Sequence, residues 1–164
     1  MKIRNLFLKL LPVSLLILLI SCGEITAKYD AVGDGKILPG DRVGTVNFSM
    51  TRTEIVALMG SPDSIFYGGD SFQLADYPVD AYFYYGYVPI SIRFHNENME
   101  EITVFNDYFV MDNGIKTGLT KTDIQSIAGI PDNETAGDNW EYLVNLKIMI
   151  EFRDGKSDQI NVHK

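Results

Sequence analysis

Cys22 is the residue whose chemistry the sequence defines most closely, because it is the only cysteine in the 164-residue chain. A single thiol cannot form an intrachain disulfide, and an exported protein rarely keeps a free thiol unless its sulfur is used covalently. Two apolar residues, Leu19 and Ile20, and the small residue Ser21 precede it. This argument for a covalent role of Cys22 applies only if the chain is exported, and the residues upstream indicate that it is.

The start of the chain has the pattern of a secretory signal peptide. The apolar run Leu10–Ile20 follows a basic start, which contains Lys2, Arg4 and Lys9. A basic start before a short apolar segment is typical of export signals. The run is too short to span a membrane as a helix, which takes about 20 predominantly apolar residues. We predict a signal peptide over residues 1–21 and a mature chain that begins at Cys22.

The junction at residues 19–23 resembles the bacterial lipoprotein box, in which apolar and small residues precede a lipidated cysteine. The resemblance implies cleavage between Ser21 and Cys22 and a covalent lipid on Cys22. Gly23 stands where an Asp would retain a lipoprotein at the inner membrane, so the resemblance also implies an outer-membrane location in a bacterial cell envelope. The alternative is an ordinary secretory peptide with a chance cysteine.

Charge and missing motifs argue against several classes of function. The 22 Asp and Glu residues of the chain outnumber its 14 Lys and Arg residues, and three of the basic residues belong to the signal. So acidic a chain lacks the basic face that nucleic acids and anionic lipids require. The sequence contains no G-x-S-x-G, phosphate-binding loop, H-E-x-x-H or C-x-x-C motif. His95 and His163 fall at predicted strand ends, facing outward. We predict no enzyme activity, no catalytic residue, no metal and no cofactor.

A helix pattern occurs twice, at Thr51–Asp63 and at Thr120–Asp132, with six identical positions. Each copy begins with a threonine that is followed three residues later by Glu54 or Asp123, which is the spacing of a capping box. Each copy ends in Gly-x-Pro, which stops a helix. We predict two short helices whose apolar stripes pack against other elements, since helices this short do not hold alone.

Strand patterns follow each helix. The segments Ile90–Val104 and Ile148–Val162 match position by position and alternate apolar with polar side chains, as antiparallel strands joined by a turn do. Upstream of them, Asp80–Tyr84 matches Asp138–Tyr142 at the same offset. We predict an α+β fold of two tandem repeats, each a helix plus a three-stranded antiparallel sheet. The repeats should pack together, because units this small bury too little surface alone.

The repeats set the predicted domain boundaries. Residues 22–42 contain several Gly and Asp residues without a sustained period and are predicted to link the lipid to the domain. The first repeat spans residues 43–108, and the second spans residues 112–164. The first repeat is the longer one, and its extra residues lie within an insertion at residues 64–79.

The strand after this insertion carries the candidate binding residues. In the alignment that pairs Ile90 with Ile148, Tyr82 and Tyr84 match aromatic residues of the second repeat and are predicted to be core. The opposite side of the strand and the insertion then supply the predicted partner-binding aromatics, which are Phe83, Tyr85, Tyr87, Phe72 and Tyr77. Tyrosine-rich surfaces suit protein interfaces. Burial of these rings beneath the insertion is the alternative.

Taken together, the motifs resemble the SmpA/OmlA, or BamE-like, domain of small outer-membrane lipoproteins. The matching features are the capped helices, the Gly-x-Pro stops, an aromatic-x-Tyr strand and the hairpin sequence Phe152–Lys156. Tandem copies also resemble the β-lactamase-inhibitor-protein fold, in which two helix-plus-sheet units form one curved sheet. This mature chain lacks the disulfides of that second family.

We therefore expect a non-catalytic envelope lipoprotein that binds another envelope protein and is held at the membrane by its lipid. The family resemblance implies a role in outer-membrane protein assembly or envelope integrity. The alternative is a protein inhibitor of an envelope or secreted hydrolase, because the inhibitor family shares the expected fold.

Overall fold

The computed structural model describes residues 31–67, 70–72, 80–135 and 138–164. The predicted signal peptide and lipid site lie outside the described residues, and so do Ser21, Cys22, Gly23 and Tyr77. Within the described ranges, no helix is both long and apolar enough to cross a membrane.

Both helices begin with the capping box that the sequence predicts. Helix α1 spans Arg52–Met59, and helix α2 spans Lys121–Ala128. In α1, the Glu54 N–H donates to the Thr51 hydroxyl at 3.3 Å, and the Thr51 N–H donates to the Glu54 carboxylate at 2.8 Å. Two of the N–H groups that a first helical turn leaves without partners are thereby satisfied.

The second helix repeats this capping box. The Asp123 N–H donates to the Thr120 hydroxyl at 3.2 Å, and the Thr120 N–H donates to the Asp123 carboxylate at 3.1 Å. The backbone and hydroxyl bonds from Thr51 hold the pKa of the Glu54 carboxyl below its usual value. The hydroxyl and backbone bonds from Thr120 lower the pKa of Asp123 likewise. Hydrogen bonds of this kind favour the charged carboxylate.

Both helices end at the predicted glycine. The Gly60 N–H donates to the Val56 carbonyl, and the Gly129 N–H donates to the Gln125 carbonyl, each at 2.9 Å. The two glycines have φ angles of 81° and 82°. Other residues rarely adopt this backbone conformation, so glycine at these positions redirects the chain into the following strand without strain.

A large sheet contains nine strands, five from the first half of the chain and four from the second. The first five are β4 (Ser64–Tyr67), β5 (Asp70–Phe72), β6 (Asp80–Tyr85), β7 (Ile90–His95) and β8 (Asn98–Val104). The other four are β10 (Asn133–Thr135), β11 (Asn139–Tyr142), β12 (Ile148–Arg153) and β13 (Lys156–His163). The spatial order is β10-β11-β12-β13-β8-β7-β6-β4-β5, and neighbouring strands are antiparallel.

The two halves of the large sheet meet where β8 pairs with β13. In this register Thr103 lies opposite Asn161, and Ile102 lies opposite Val162. Thr103 and Asn161 are also equivalent positions of the two copies in the alignment that pairs Val104 with Val162. The pairing is therefore approximately twofold symmetric about these two residues. The Thr103 hydroxyl donates to Asn161 Oδ1 at 2.7 Å, and both side chains are buried.

A second, small sheet has the order β3-β2-β1-β9 and is built from β1 (Lys36–Leu38), β2 (Arg42–Val43), β3 (Val46–Asn47) and β9 (Val110–Met111). Strands β1 and β9 are parallel, so this sheet joins the start of the domain to the connection between its two halves. Residues 36–38 and Arg42, which the sequence assigns to the linker, thus belong to strands of the small sheet. Its buried side chains share one hydrophobic core with the large sheet and the helices.

Both helices cover the same face of the large sheet. The Arg52 guanidinium of α1 lies 5.3 Å from the centre of the Phe94 ring. Lys121 of α2, at the equivalent position, lies 5.1 Å from the centre of the Phe152 ring. Each helix also buries its central isoleucine, Ile55 and Ile124.

The predicted α+β fold of two helix-plus-three-strand repeats is wrong. The described chain is dominated by strands, in sheets of four and nine, and contains only two short helices. A strand follows directly after each helix, the insertion contributes β5, and the residues before α1 enter the small sheet. Through the pairing of β8 with β13, the strands of both halves form one continuous sheet of nine strands.

Replacing Thr51 with Ala should lower the free energy of unfolding by about 1 kcal/mol, because the first turn of α1 loses its capping hydroxyl. The pKa of Glu54 is lowered in the folded chain. Its stabilising effect is therefore present above the unfolded pKa and is lost as the pH falls through the folded pKa. The wild-type chain should lose stability as the pH falls below about 4.3, the ordinary pKa of a glutamate, and T51A should lose less. Urea unfolding across this pH range measures both effects.

T53A is the matched control, because Thr53 is an exposed residue of the same helix outside the capping box. Equal losses in T51A and T53A, or an unchanged acid dependence in T51A, would contradict the role given to the capping box.

Candidate functional site on the outer face of the large sheet

The large sheet has an inner face, which packs against the helices and the core, and an outer face on the opposite side. Side chains along a strand alternate between the two faces. On β6 the inner positions, which are fully buried, are Ala81, Phe83 and Tyr85. The outer positions, which are partly exposed, are Asp80, Tyr82 and Tyr84.

Phe83 and Tyr85, which are predicted to bind a partner, are buried in the core. The Phe83 ring packs against the Phe94 ring, with 5.1 Å between their centres. Burial raises the pKa of the Tyr85 hydroxyl well above its usual value. Tyr82 and Tyr84, which are predicted to be core, instead lie on the outer face. The predicted phase of this strand is therefore reversed, and Phe83 and Tyr85 are not available as a surface.

A difference in loop length explains the reversal. The Tyr85 hydroxyl donates to the Gly60 carbonyl at 3.3 Å, and the Tyr142 hydroxyl donates to the Gly129 carbonyl at 3.1 Å. Tyr85 is thus the structural counterpart of Tyr142, whereas the sequence alignment pairs Tyr84 with Tyr142. The following strands keep the alignment of Ile90 with Ile148, because the loop at residues 143–147 is longer by a single residue than its counterpart in the first half.

The structure also places two of the other predicted binding residues. Tyr87 is partly buried, and its hydroxyl donates to the Met59 carbonyl at 2.6 Å. Phe72 pairs with Ile65 between β5 and β4 and packs, partly buried, against the core. Tyr77 lies outside the described residues. Internal packing, which the sequence leaves open as the alternative, thus accounts for the predicted binding residues that the structure describes.

The outer face of the first half carries a different group of rings, which we call the aromatic cluster: Phe66, Tyr82, Tyr84 and Phe105. The Phe66 and Tyr82 rings are stacked, with centres 5.3 Å apart and planes within 4°. The Tyr84 and Phe105 rings meet edge to face at 6.1 Å. All four side chains are partly exposed. This arrangement leaves part of each ring surface open to solvent.

A shallow cavity of about 170 Å³ lies at one end of the aromatic cluster, where Tyr82 meets Arg93 and His95. His95 Nδ1 contacts the Asp80 carboxylate. The Arg93 guanidinium forms ion pairs with two glutamates, Glu100 at 3.3 Å and Glu101 at 3.8 Å. The polar groups around the cavity therefore pair largely with one another, while the phenol rings remain accessible.

Burial raises the pKa of the Tyr82 hydroxyl above its usual value, and the nearby carboxylate of Glu101 adds to the shift. The hydroxyl is therefore neutral at physiological pH and can donate a hydrogen bond. No group of three or more potential metal ligands occurs among the residues that the structure describes. The site can thus offer ring surface, hydroxyl donors and a guanidinium to a ligand.

The outer face of the second half has different chemistry. Glu141 takes the place of Tyr84, because their carbonyls accept the equivalent N–H groups of Asp132 and Asp63, at 2.8 and 2.9 Å. The other replacements are Asn139 for Tyr82, Met149 for Ser91, Glu151 for Arg93 and Asn161 for Thr103. The second half is therefore polar and acidic where the first half is aromatic.

The inner face shows the opposite relation between the two halves. Five counterpart pairs in their central strands are identical and buried: Ile90 and Ile148, Ile92 and Ile150, Phe94 and Phe152, Ile102 and Ile160, and Val104 and Val162. Packing keeps the inner residues alike because a change of even one methylene group is felt in a close-packed core. The outer positions are free of this constraint, and there the side chains of the two halves differ.

The assignment of the two faces predicts that substitutions at neighbouring residues of β6 change the free energy of unfolding by very different amounts. F83A should lower the free energy of unfolding by about 3–5 kcal/mol, because it removes a fully buried ring. Y84A should change the free energy of unfolding by less than about 1 kcal/mol, because this ring lies on the outer face. Urea unfolding of both variants tests which side chains of β6 face the core. A larger loss of unfolding free energy in Y84A than in F83A would contradict the assignment.

No family model matches the chain, and no curated protein matches it. A solved structure does resemble it, namely the crystal structure at 2.13 Å resolution of a DUF4309 family protein (YjgB) from Bacillus subtilis subsp. subtilis strain 168. The identity is 16%, the similarity covers 85% of this chain and 94% of that one, and the TM-score is 0.45. Similarity at this level establishes no shared function.

The predicted resemblance to the SmpA/OmlA (BamE-like) family, and with it the β-lactamase-inhibitor-like architecture, is wrong. The described chain is 46% strand with two short helices, which is not the α+β fold of SmpA/OmlA domains. The motifs that carry the resemblance are capping boxes, helix stops and turns. Such features recur wherever a short helix leads into antiparallel strands, so they identify local structure and no family.

Proposed function

We propose that the chain is a non-catalytic lipoprotein of the bacterial cell envelope that binds another envelope protein through the aromatic cluster. One observation carries this proposal. The two halves of the large sheet share an identical set of buried residues at five counterpart pairs but differ on the outer face, where only the first half carries the aromatic cluster.

The fold of the sheet does not require aromatic residues at the positions of the aromatic cluster. The second half shows that the same strands accept Asn139 and Glu141 where the first half has Tyr82 and Tyr84. These positions also accept polar residues, and partly exposed rings there leave apolar surface in contact with water in the free protein. Binding of a partner would remove that surface from water, which is favourable. Tyrosine is enriched among the residues that dominate binding energy, because a rigid ring buries a large area while its hydroxyl reaches a polar partner.

The surroundings of the aromatic cluster favour a protein partner. Arg93 is held beside it by Glu100 and Glu101, so its guanidinium is oriented before binding. A central group of rings bordered by such ion pairs has the arrangement of a protein interface, with an apolar centre and a polar rim. The net acidity of the chain, in turn, weighs against nucleic acid.

The proposed anchor is a lipid on Cys22, supported by the lipoprotein-box sequence around it. Cys22 lies nine residues before Ala31, where the described structure begins. A segment of this length spans at most about 30 Å, so the start of the domain would stay close to the membrane that holds the lipid. Gly23, in place of a retaining Asp, supports the outer membrane as that location. The partner would then be a protein in or near the same membrane.

The test is chemical crosslinking in the intact envelope, followed by purification of the chain and mass spectrometry of bound proteins. The double variant Y82S/Y84S should reduce recovery of the crosslinked partner by at least about tenfold, because two central rings are removed. The matched control is N139S/E141S, which alters the equivalent positions of the second half and should leave recovery unchanged.

Two outcomes would contradict the proposal. One is full recovery of the partner with Y82S/Y84S, and the other is a loss that N139S/E141S shares. Urea unfolding of both variants shows that each remains folded, which is expected because the altered side chains are on the outer face.

A further inference from the structure

The strands that directly follow the two helices, β4 and β10, differ in what covers their outer edges. In the first half, β4 pairs with β6 on one side and with β5 on the other. Its counterpart in the second half, β10, pairs with β11 alone among the residues that the structure describes. The edge of β10 therefore presents backbone N–H and C=O groups at the position where the first half accepts an antiparallel strand.

Strand β5 shows what this edge accepts. Its register places Phe72 opposite Ile65, and Phe72 packs against the core. Strand β5 lies within the insertion that lengthens the first repeat, so the second half has no equivalent segment of its own. An extended segment from another molecule can fill the equivalent place, in the manner of β-strand addition.

An exposed apolar surface adjoins the start of β10. We call it the turn patch; its residues are Ile127, Ile130, Leu143 and Val144. These are four of the six large exposed hydrophobic side chains in the described structure, and Ile130 and Val144 are 81% and 79% exposed. Apolar residues scattered singly over a surface need no explanation, whereas exposed apolar residues on segments that lie together favour a binding surface.

Hydrogen bonds between the two turns hold the turn patch together. The Val144 N–H donates to the Asp132 carboxylate at 2.9 Å, and the Asp132 N–H donates to the Glu141 carbonyl at 2.8 Å. The Tyr142 hydroxyl ties the same region to the Gly129 carbonyl at 3.1 Å. These bonds hold the turn that carries Val144 against Asp132, the residue that directly precedes β10.

The first half repeats these bonds without the two most exposed apolar side chains. There the Gly86 N–H donates to the Asp63 carboxylate at 2.7 Å, so Gly86 takes the place of Val144. Ser61 takes the place of Ile130. These two apolar residues are thus found at the half whose edge strand is uncovered and are absent from the half whose edge strand is covered by β5.

The charge on β10 indicates the chemistry of the occupant. Glu134 takes the place of Ile65, which is buried to 3% exposure, whereas Glu134 is exposed. A charge at such a position guards an edge strand against indiscriminate pairing. Pairing of two copies of this chain about Glu134 would set two glutamates side by side, which is destabilising. A strand that carries Lys or Arg beside Glu134 would instead form an ion pair.

We propose that β10 and the turn patch bind an extended segment of a partner protein as an added antiparallel strand. The segment carries apolar side chains for Ile130 and Val144 and a basic side chain for Glu134. The backbone groups of β10 supply hydrogen bonds, and the turn patch supplies apolar contact. This inference rests on a surface separate from the aromatic cluster and does not depend on the proposed function.

The test is selection of short random peptides, displayed on phage, against the full mature chain. Enriched peptides should alternate apolar and other residues and contain Lys or Arg. Their binding should weaken at least about tenfold in I130S/V144S. Binding should also weaken in E134K, because the proposed ion pair becomes a repulsion. Hydrogen exchange at residues 133–135 should slow when the peptide binds, because the edge N–H groups gain partners.

Y82S/Y84S is the control that separates the two surfaces, and it should bind the selected peptides normally. Ile130 and Val144 are exposed, so the unfolding midpoint of I130S/V144S should match that of the wild-type chain. Three outcomes would overturn the proposal: no enrichment, peptide binding that survives I130S/V144S, and a wild-type dimer in sedimentation that becomes monomeric in I130S/V144S. The last outcome would identify a second copy as the occupant.

Discussion

The pairing of β8 with β13 is the constraint on which the rest of the structure depends. At its centre the Thr103 hydroxyl donates to Asn161 Oδ1 at 2.7 Å, and both side chains are buried. A buried polar group without a partner costs about 1–3 kcal/mol, so this register is favoured over neighbouring ones that would separate the pair. Because a shift of one residue exchanges the two faces of a strand, the same register determines which side chains of both halves reach the core.

This junction gives the two faces of the large sheet different freedom. The inner face must fill one continuous core with both helices and the small sheet, and five pairs of equivalent positions do so with identical residues. The outer face carries no such requirement, and each half has acquired its own chemistry there. The aromatic cluster lies on one side of the junction, whereas Glu141 and Glu151 lie on the other. A single domain thus presents two different surfaces on one sheet.

Local features of the sequence predict local structure well, because capping and helix termination depend on neighbouring residues alone. The capping boxes at Thr51 and Thr120 and the stops at Gly60 and Gly129 are confirmed. The same sequence repeat correctly locates the two helices. It does not reveal β4, β5, β10 or the small sheet, because strands this short show too little alternation to stand out. The pairing of β8 with β13 joins residues that are distant in the sequence, so the local pattern of apolar and polar residues does not predict it.

The reversed phase of β6 has a similar origin. Both faces of this strand carry aromatic residues, so hydrophobicity alone does not distinguish them, and alignment with the second repeat misplaces them by one position. A signal is present nonetheless, since Asp80 shares a face with Tyr82 and Tyr84 while Ala81 shares a face with Phe83. A charged residue marks the outer face, and a small apolar residue marks the close-packed one.

We propose that the outer face of the first half, and not that of the second, meets a partner in the envelope. Site-specific photo-crosslinking measures this directly: a photoreactive phenylalanine analogue is placed at Tyr84 or at its counterpart Glu141 in the full-length chain. We expect a crosslink to one defined envelope protein from position 84 and none to that protein from position 141. A crosslink from position 141 alone, or no crosslink from position 84, would contradict it.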